Sequence, residues 1–150
     1  MKESPEIKKL EQMLRSSKLA AGGFMGNDKR SAYEVIEADT RQLEKLDITR
    51  EQLAEKMKQI TELTKPQLGN WIKIDEYLQA KSDDFKGMLV CPWPHAGRIQ
   101  KRITTVKNVV NGQTIMWSDL NVHLIEEHGF FEGKGSGFRI EPETLFSVIF

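Results

Sequence analysis

The most restrictive feature of the chain is a change of pattern at Pro66, from helical periodicity to strand-like runs. Before this residue, apolar side chains recur every three or four positions, as on one face of an amphipathic helix. Proline ends the helical region because it lacks an N–H and disfavours helical geometry in the residue before it. From about Trp71 onward, short runs of β-branched and aromatic residues alternate with turn residues. Helices followed by mainly antiparallel strands are typical of an α+β fold.

Capping signals place the helix starts in the first part of the chain. These starts are Ser4-Pro5, the box formed by Ser31 and Glu34, and the box formed by Thr49 and Gln52. We therefore predict three N-terminal helices, of which the second runs to about Leu46 and the third ends before Pro66.

The second part of the chain is predicted to form a mainly antiparallel sheet with one inserted helix. The predicted strands span residues 71–78, 86–91, 99–110, 113–117 and 138–140. Asn111-Gly112 is a strong signal for a tight hairpin turn. Ser118 begins a short helix that Gly129 ends, and Pro142 begins a C-terminal helix. The chain is predicted to be a single domain, 1–150, with a helical half, 1–66, and a strand-rich half, 71–150.

Composition limits the class of protein. Lysine plus arginine and aspartate plus glutamate both number 22, so no global field attracts nucleic acid or acidic membranes. The single cysteine excludes an intramolecular disulfide and fits a reducing compartment. No apolar run is long enough for a signal peptide or a membrane span. We expect a cytoplasmic protein with no membrane partner, and nucleic acid is not favoured as a partner.

The charge is nevertheless unevenly distributed, because residues 85–118 contain five bases and no acid. These bases are Lys86, Arg98, Lys101, Arg102 and Lys107. Strand alternation would place Arg98, Gln100, Arg102 and Thr104 on one face. With Trp93 nearby, this face has the composition of a weak platform for single-stranded nucleic acid. Bases on an edge strand also guard against aggregation, which is the alternative.

One cysteine and three histidines form the strongest candidate for a chemical site. Cys91-x3-His95 and His123-x4-His128 have the spacing of two pairs of zinc ligands. On a helix, however, His123 and His128 diverge by about 140°, which argues against convergence on one ion. The alternative is a structural role, with His128 and Cys91 in the core and His123 in solvent.

His123 also suggests a different chemistry. Asp119 and Glu127 each lie four residues from it, so the three side chains share one helix face. A carboxylate beside an imidazole can orient it as a general base, and His123 and Asp119 are therefore the candidate catalytic residues. Ordinary surface pairs on a helix are the alternative.

A glycine-rich segment, 129–137, follows this helix and is a candidate anion-binding loop, because glycines let backbone N–H groups turn toward an anion. Together with bases of the strand half, it suggests a site for a small anionic ligand. The candidate ligand-binding residues are His95, Arg98, Arg102, Lys134, Ser136 and Arg139. The order helix, loop, strand differs from that of a phosphate-binding loop, which precedes a helix.

Two further features bear on partners and on the core. Phe130 and Phe131 are not both expected to be buried next to so much glycine, so one of them is predicted to face a ligand or a partner chain. With Phe24 and Met25 they suggest a rival hypothesis, in which the protein is a non-catalytic interaction module or a homo-oligomer. Asp39 falls within the apolar stripe of the second helix, where a bare charge is costly. It is predicted either to pair with Arg98, Arg102 or Arg139 or to line a pocket.

The leading hypothesis from the sequence is a ligand- or metal-binding protein. Its polar pocket would be formed by the CPWPH loop of residues 91–95, the helix that carries His123 and the glycine-rich loop. The candidate metal ligands are Cys91, His95, His123 and His128, and zinc is the candidate ion. The sequence assigns no reaction and no substrate.

Overall fold

The computed structural model describes residues 4–17, 23–95 and 97–150, and it has the predicted α+β architecture. The described residues contain five α-helices and a four-stranded antiparallel sheet. The helices are α1 (Pro5–Arg15), α2 (Ala32–Lys45), α3 (Arg50–Thr64), α4 (Asp119–His128) and α5 (Pro142–Ile149). The strands are β1 (Ile72–Lys73), β2 (Leu78–Leu89), β3 (Ile99–Asn108) and β4 (Thr114–Ser118).

The predicted helix caps are confirmed. The side chains of Ser4, Ser31, Thr49 and Ser118 each accept a hydrogen bond from a backbone N–H in the first turn. Gly129 ends α4 in the left-handed conformation, with φ 64°, where its N–H bonds the Ile125 carbonyl. These ends depend only on neighbouring residues, which explains why the sequence predicted them.

The sheet has the simple order β1-β2-β3-β4, with neighbouring strands antiparallel. The hairpin at Asn111-Gly112 is confirmed between β3 and β4. The strands predicted at 99–110 and 113–117 are confirmed as β3 and β4, and the strand predicted at 86–91 is confirmed as the end of a longer β2. The predictions for 71–78 and 138–140 were wrong, because the first segment holds the two-residue β1, a turn and the first residue of β2, and the second is not a strand. A register shift between Asp84 and Met88 bulges β2 at the point where its exposed half begins.

Two apolar clusters fill the interior. The first lies between the sheet and α3, α4 and α5, and its largest members include Met57, Ile60, Trp117, Phe131 and Leu145. The second lies under α1, α2 and α4, and its largest members include Leu14, Phe24, Met25, Leu124 and Phe130. In the first cluster, the indole N–H of Trp117 donates to Thr61 Oγ1 at 3.0 Å, so its one polar atom is satisfied.

The phenylalanine prediction was wrong, because Phe130 and Phe131 are both fully buried. Adjacent side chains of an irregular segment leave the backbone in different directions, and here each enters a different cluster. Phe24 and Met25 are buried as well, so none of the four forms an exposed apolar patch. The proposed partner surface at these residues is therefore withdrawn.

Asp39 has the ion pair expected of a buried carboxylate. Its two oxygens accept hydrogen bonds from the Arg139 guanidinium at 2.5 and 2.9 Å, and Glu141 binds the same guanidinium. The pair fastens α2 to the segment that precedes α5. No helix among the described residues is long and apolar enough to cross a membrane.

Candidate metal centre

The topology brings two distant segments to the same end of the sheet. Residues 90–98 connect β2 to β3 and contain Cys91 and His95. Because β3 and β4 are antiparallel, the start of β3 lies beside the end of β4, where α4 begins with Asp119. The two histidines of α4 therefore face the loop that carries the other two candidate ligands.

Four potential ligand atoms converge there. The Cys91 sulfur and one ring nitrogen each from His95, His123 and His128 all lie within 4.8 Å of one another. The Nε2 atoms of His95 and His123 are 3.1 Å apart, and those of His95 and His128 are 3.4 Å apart. Cys91 Sγ lies 3.5 Å from His128 Nε2.

The three shortest of these separations are close to the edges of a zinc tetrahedron. With Zn–N near 2.0–2.1 Å and Zn–S near 2.3 Å, tetrahedral angles place two nitrogens about 3.4 Å apart and a nitrogen and a sulfur about 3.6 Å apart. The three short distances agree with these values to within about 0.3 Å. The four residues could therefore hold a metal ion if the longer ligand-atom separations, which reach up to 4.8 Å, shortened.

Comparison with known proteins adds no assignment to this geometry. No family model matches the chain, and neither a curated protein nor a solved structure matches it. The function must be argued from the residues themselves.

The helix-wheel objection to the four-residue site was wrong. The ring centroids of His123 and His128 are only 5.4 Å apart, although both residues lie within α4. The wheel records where a side chain leaves the helix and takes no account of its length. Imidazole rings on long, rotatable side chains can turn into the space between two diverging positions. His95, on the β2–β3 loop, then lies within hydrogen-bond distance of both rings.

The surroundings of His123 and His128 favour the neutral imidazole, the form that binds metals. Burial is the main cause that lowers the pKa of His128 to about 4, with a further contribution from the neighbouring His123. Burial likewise lowers the pKa of His123, and His95 acts in the same direction. Each neutral ring has one nitrogen lone pair, which can accept a hydrogen bond from a neighbouring ring or bind a cation.

The Cys91 thiol is held in an apolar place. The residue is only 4% exposed, and burial raises the pKa of its thiol. A hydrogen bond from the Trp93 backbone N–H to the sulfur acts in the opposite direction. A bound metal displaces the thiol proton, so the same N–H would then stabilise the thiolate.

Trp93 orients the site from outside. Its ring stacks on the His128 imidazole at a centroid distance of 4.1 Å and an interplanar angle of 7°. The Trp93 ring also packs edge-to-face against the Phe130 ring, at a centroid distance of 5.5 Å. The residue therefore fixes the plane of the His128 ring against the second apolar cluster, a role that outer-shell residues have at metal sites. The sequence reasoning did not give Trp93 this role, and its place between two prolines of the ligand loop was the available signal.

Asp119 is placed differently from its predicted partnership with His123. One of its carboxylate oxygens accepts from Arg102 at 3.0 Å, and Arg102 also donates to Asp84 at 2.7 Å. The other oxygen, Oδ1, is buried without a hydrogen-bond partner among the described residues, and burial raises the pKa of this carboxyl. Asp119 and His123 both line a cavity of about 320 Å³ between α3 and α4. Their catalytic role stays a prediction.

The glycine-rich loop lies against a different cavity. Glu132, Ser136 and Gly137 line a space of about 350 Å³ together with Phe24 and apolar residues of β2, β3 and α4. The predicted pocket is thus divided, because His123 lines one cavity and this loop lines another. The Glu132 carboxylate was missed by the sequence reasoning, and no spacing or motif marks it.

The candidate anion-binding residues are dispersed over these places. Arg102 and Arg139 are committed to carboxylates, and the hydroxyl of Ser136 donates to Glu132. Lys134 and Arg98 are exposed. Together with His95 in the metal group, these residues do not surround one common space. Anion binding by this set stays a prediction.

Proposed function

We propose that this protein is a zinc-binding protein whose ion is held by Cys91, His95, His123 and His128. The observation that carries the proposal is the convergence of one sulfur and three ring nitrogens at distances that suit a tetrahedral ion. Zinc accepts this mixture of thiolate and imidazole ligands and has no competing geometric preference.

The ion would have a structural role. Four protein ligands complete the tetrahedron and leave no open position for water or substrate, as in structural zinc sites. The ligands come from the β2–β3 loop and from α4, so the ion would fasten an irregular loop to the helix. His123 would then be a ligand and would not serve as a general base through the same nitrogen.

Elemental analysis of tag-free protein, purified without chelator, tests the proposal. We expect about one equivalent of zinc, and tetrahedral Co²⁺ absorption after exchange of zinc for cobalt. The chain offers no other cysteine or histidine, so a thiolate–imidazole spectrum must come from these four residues. Less than about a fifth of an equivalent, with no uptake of added zinc, would contradict the proposal.

Variants separate ligation from folding. His95 is exposed, so His95→Ala should fold and yet lose zinc. Glu127→Gln is the matched control, because Glu127 is an exposed polar residue of α4 that lies next to His128 without belonging to the ligand group. It should retain the ion. Equal zinc content in wild type and His95→Ala would show that His95 is not a zinc ligand.

Chelation provides an independent readout. Zinc at about 100 times its dissociation constant stabilises the folded state by about 2.7 kcal/mol. For a chain of this size, a loss of that energy lowers Tm by roughly 5–11 °C. We expect this drop in wild type and its absence in His95→Ala.

A second candidate function rests on the cavity between α3 and α4. Asp119 lines this cavity, and its carboxyl has one oxygen without a hydrogen-bond partner among the described residues, which supports a site for a small ligand that donates a hydrogen bond. A zinc-loaded Asp119→Asn variant with unchanged stability and altered ligand binding would favour it. Without a ligand-dependent effect, Asp119 has only its structural pairing with Arg102.

A further inference from the structure

One face of the sheet is packed by the helices, and the other face is open except where the glycine-rich loop lies against it. Ala80, Val106 and Trp117 are fully buried on the side packed by the helices. Side chains alternate along a strand, so the residues between them point away from the helices. Lys73 on β1, Gln79 on β2 and Lys107 on β3 are cross-strand neighbours on this second side, and all three are exposed.

The open face is basic although the chain as a whole is neutral. Its lysines are Lys73, Lys81, Lys101 and Lys107. Asp83 is the acid among the outward positions of the described strands, and it lies 3.7 Å from Lys81. On β3 the lysines extend from Lys101, which also lines the cavity at the glycine-rich loop, to Lys107, a distance of about 20 Å at about 3.4 Å per residue.

Exposed aromatic rings accompany these lysines. Trp71 and Phe85 are each 47% exposed. The Lys81 Nζ lies 5.6 Å from the centroid of the Trp71 ring, and the Lys101 Nζ lies 6.0 Å from that of Phe85. Two rings are thus held at the surface, each beside a cation.

We propose that this open sheet face binds single-stranded nucleic acid. Lysines spread along the strands complement the charge of a phosphate backbone, and rings beside them offer stacking surfaces for unpaired bases. A role for the lysines as guards against edge pairing does not account for the exposed rings. Neither base-specific donors nor a groove-sized helix is involved, so the binding should tolerate different sequences.

The residues differ from the platform expected from the sequence. Arg102 and Thr104 are buried on the helix side of β3, where Arg102 is paired with two carboxylates. The alternate positions of the same strand carry the open lysines. The inference does not depend on the metal proposal, because none of the four metal ligands belongs to this face.

Fluorescence anisotropy with a labelled oligothymidylate tests the proposal. A probe of about 12 nucleotides falls within the site sizes of about 4–16 nucleotides known for single-strand binders. We expect binding at low salt that weakens as salt rises. If all four lysines contact phosphates, the slope of log K against log salt should be close to −3.

Matched variants identify the face. Lys81→Gln combined with Lys107→Gln should weaken binding by about tenfold and reduce the salt slope by about half. Lys8→Gln combined with Lys9→Gln removes the same charge from exposed positions of α1 and should leave binding nearly unchanged. Trp71→Ala should weaken binding by about tenfold with little change of slope, because stacking is lost and the phosphate contacts remain.

Several results would overturn the proposal. These are the absence of binding at low salt, an equal loss in the α1 control, or equal competition by a duplex of the same length. Binding to vesicles of acidic phospholipid in preference to the oligonucleotide would assign the face to a membrane surface instead. Circular dichroism of each variant shows whether a lost signal reflects unfolding.

Discussion

Replacement of Glu132 by glutamine should change how the free energy of unfolding depends on pH. The residue is only 4% exposed, and its carboxylate accepts hydrogen bonds from Asn121 and Ser136. Burial raises the pKa of this carboxyl to about 7, against an ordinary value of 4.5. The Arg139 guanidinium opposes this rise, but it is already paired with Asp39.

The sign and size follow from proton binding. Between about pH 4.5 and pH 7 the folded protein keeps a proton that the unfolded chain has released. The folded state therefore loses stability as pH rises through this window, and the loss levels off above it. A pKa difference of about 2.5 pH units, at about 1.4 kcal/mol each, gives a full cost of about 3 kcal/mol. Glutamine does not titrate, so the variant escapes this cost.

Urea unfolding at pH 5 and pH 8, with chelator present throughout, measures the effect. We expect the stability of Glu132→Gln relative to wild type to increase by about 2–3 kcal/mol between these pH values. Titration of the histidines contributes equally to both proteins and cancels. Glu37→Gln changes an exposed carboxylate and is the control that should follow wild type. A relative stability that is constant, or that falls with rising pH, would refute the reasoning.

Three further predictions concern the core, the glycine loop and the metal group. Arg139→Met should cost about 3–5 kcal/mol in urea unfolding because Asp39 is left buried and unpaired, and Asp39→Leu in the same chain should restore most of it. Gly133→Ala should lower the unfolding free energy by more than about 2 kcal/mol, because its Cβ would collide with the backbone carbonyl oxygen of Met25. Gly137→Ala is the control and should stay within about 0.5 kcal/mol, because no atom of the described residues lies within 4 Å of its Cβ. Trp93→Ala should weaken zinc binding by about tenfold in a chelator competition, because the stacked imidazole loses its support; unchanged affinity would show that the stacking is not needed.

Local signals predicted the helices well. A capping box needs only two residues three positions apart, and those at Ser31 and Thr49 have the expected hydrogen bonds. The hairpin at Asn111-Gly112 is local in the same way. The length of β2 could not be read from its own residues, because Ser82, Asp83 and Asp84 resemble a loop. Its extent is determined by pairing with β3, which is distant in sequence.

The candidate site shows the same limit. The sequence supplied all four candidate metal ligands, because ligand residue types are recognisable without a structure. Angles on a helical wheel then argued against their convergence, since the wheel omits side-chain reach and the position of the facing loop. For Asp39, the apolar stripe required a partner, but only the tertiary fold selects Arg139 from the three arginines considered.

Phe130 and Phe131 enter different apolar clusters although they are consecutive residues. A shift of this short segment by one residue would keep a phenylalanine in one cluster and bring Gly129 or Glu132 to the phenylalanine position of the other. Packing in both clusters therefore fixes the register of this segment. An opening of either cluster that displaces the segment must disturb the other, so we expect the two clusters to be lost in one cooperative unfolding transition rather than in succession.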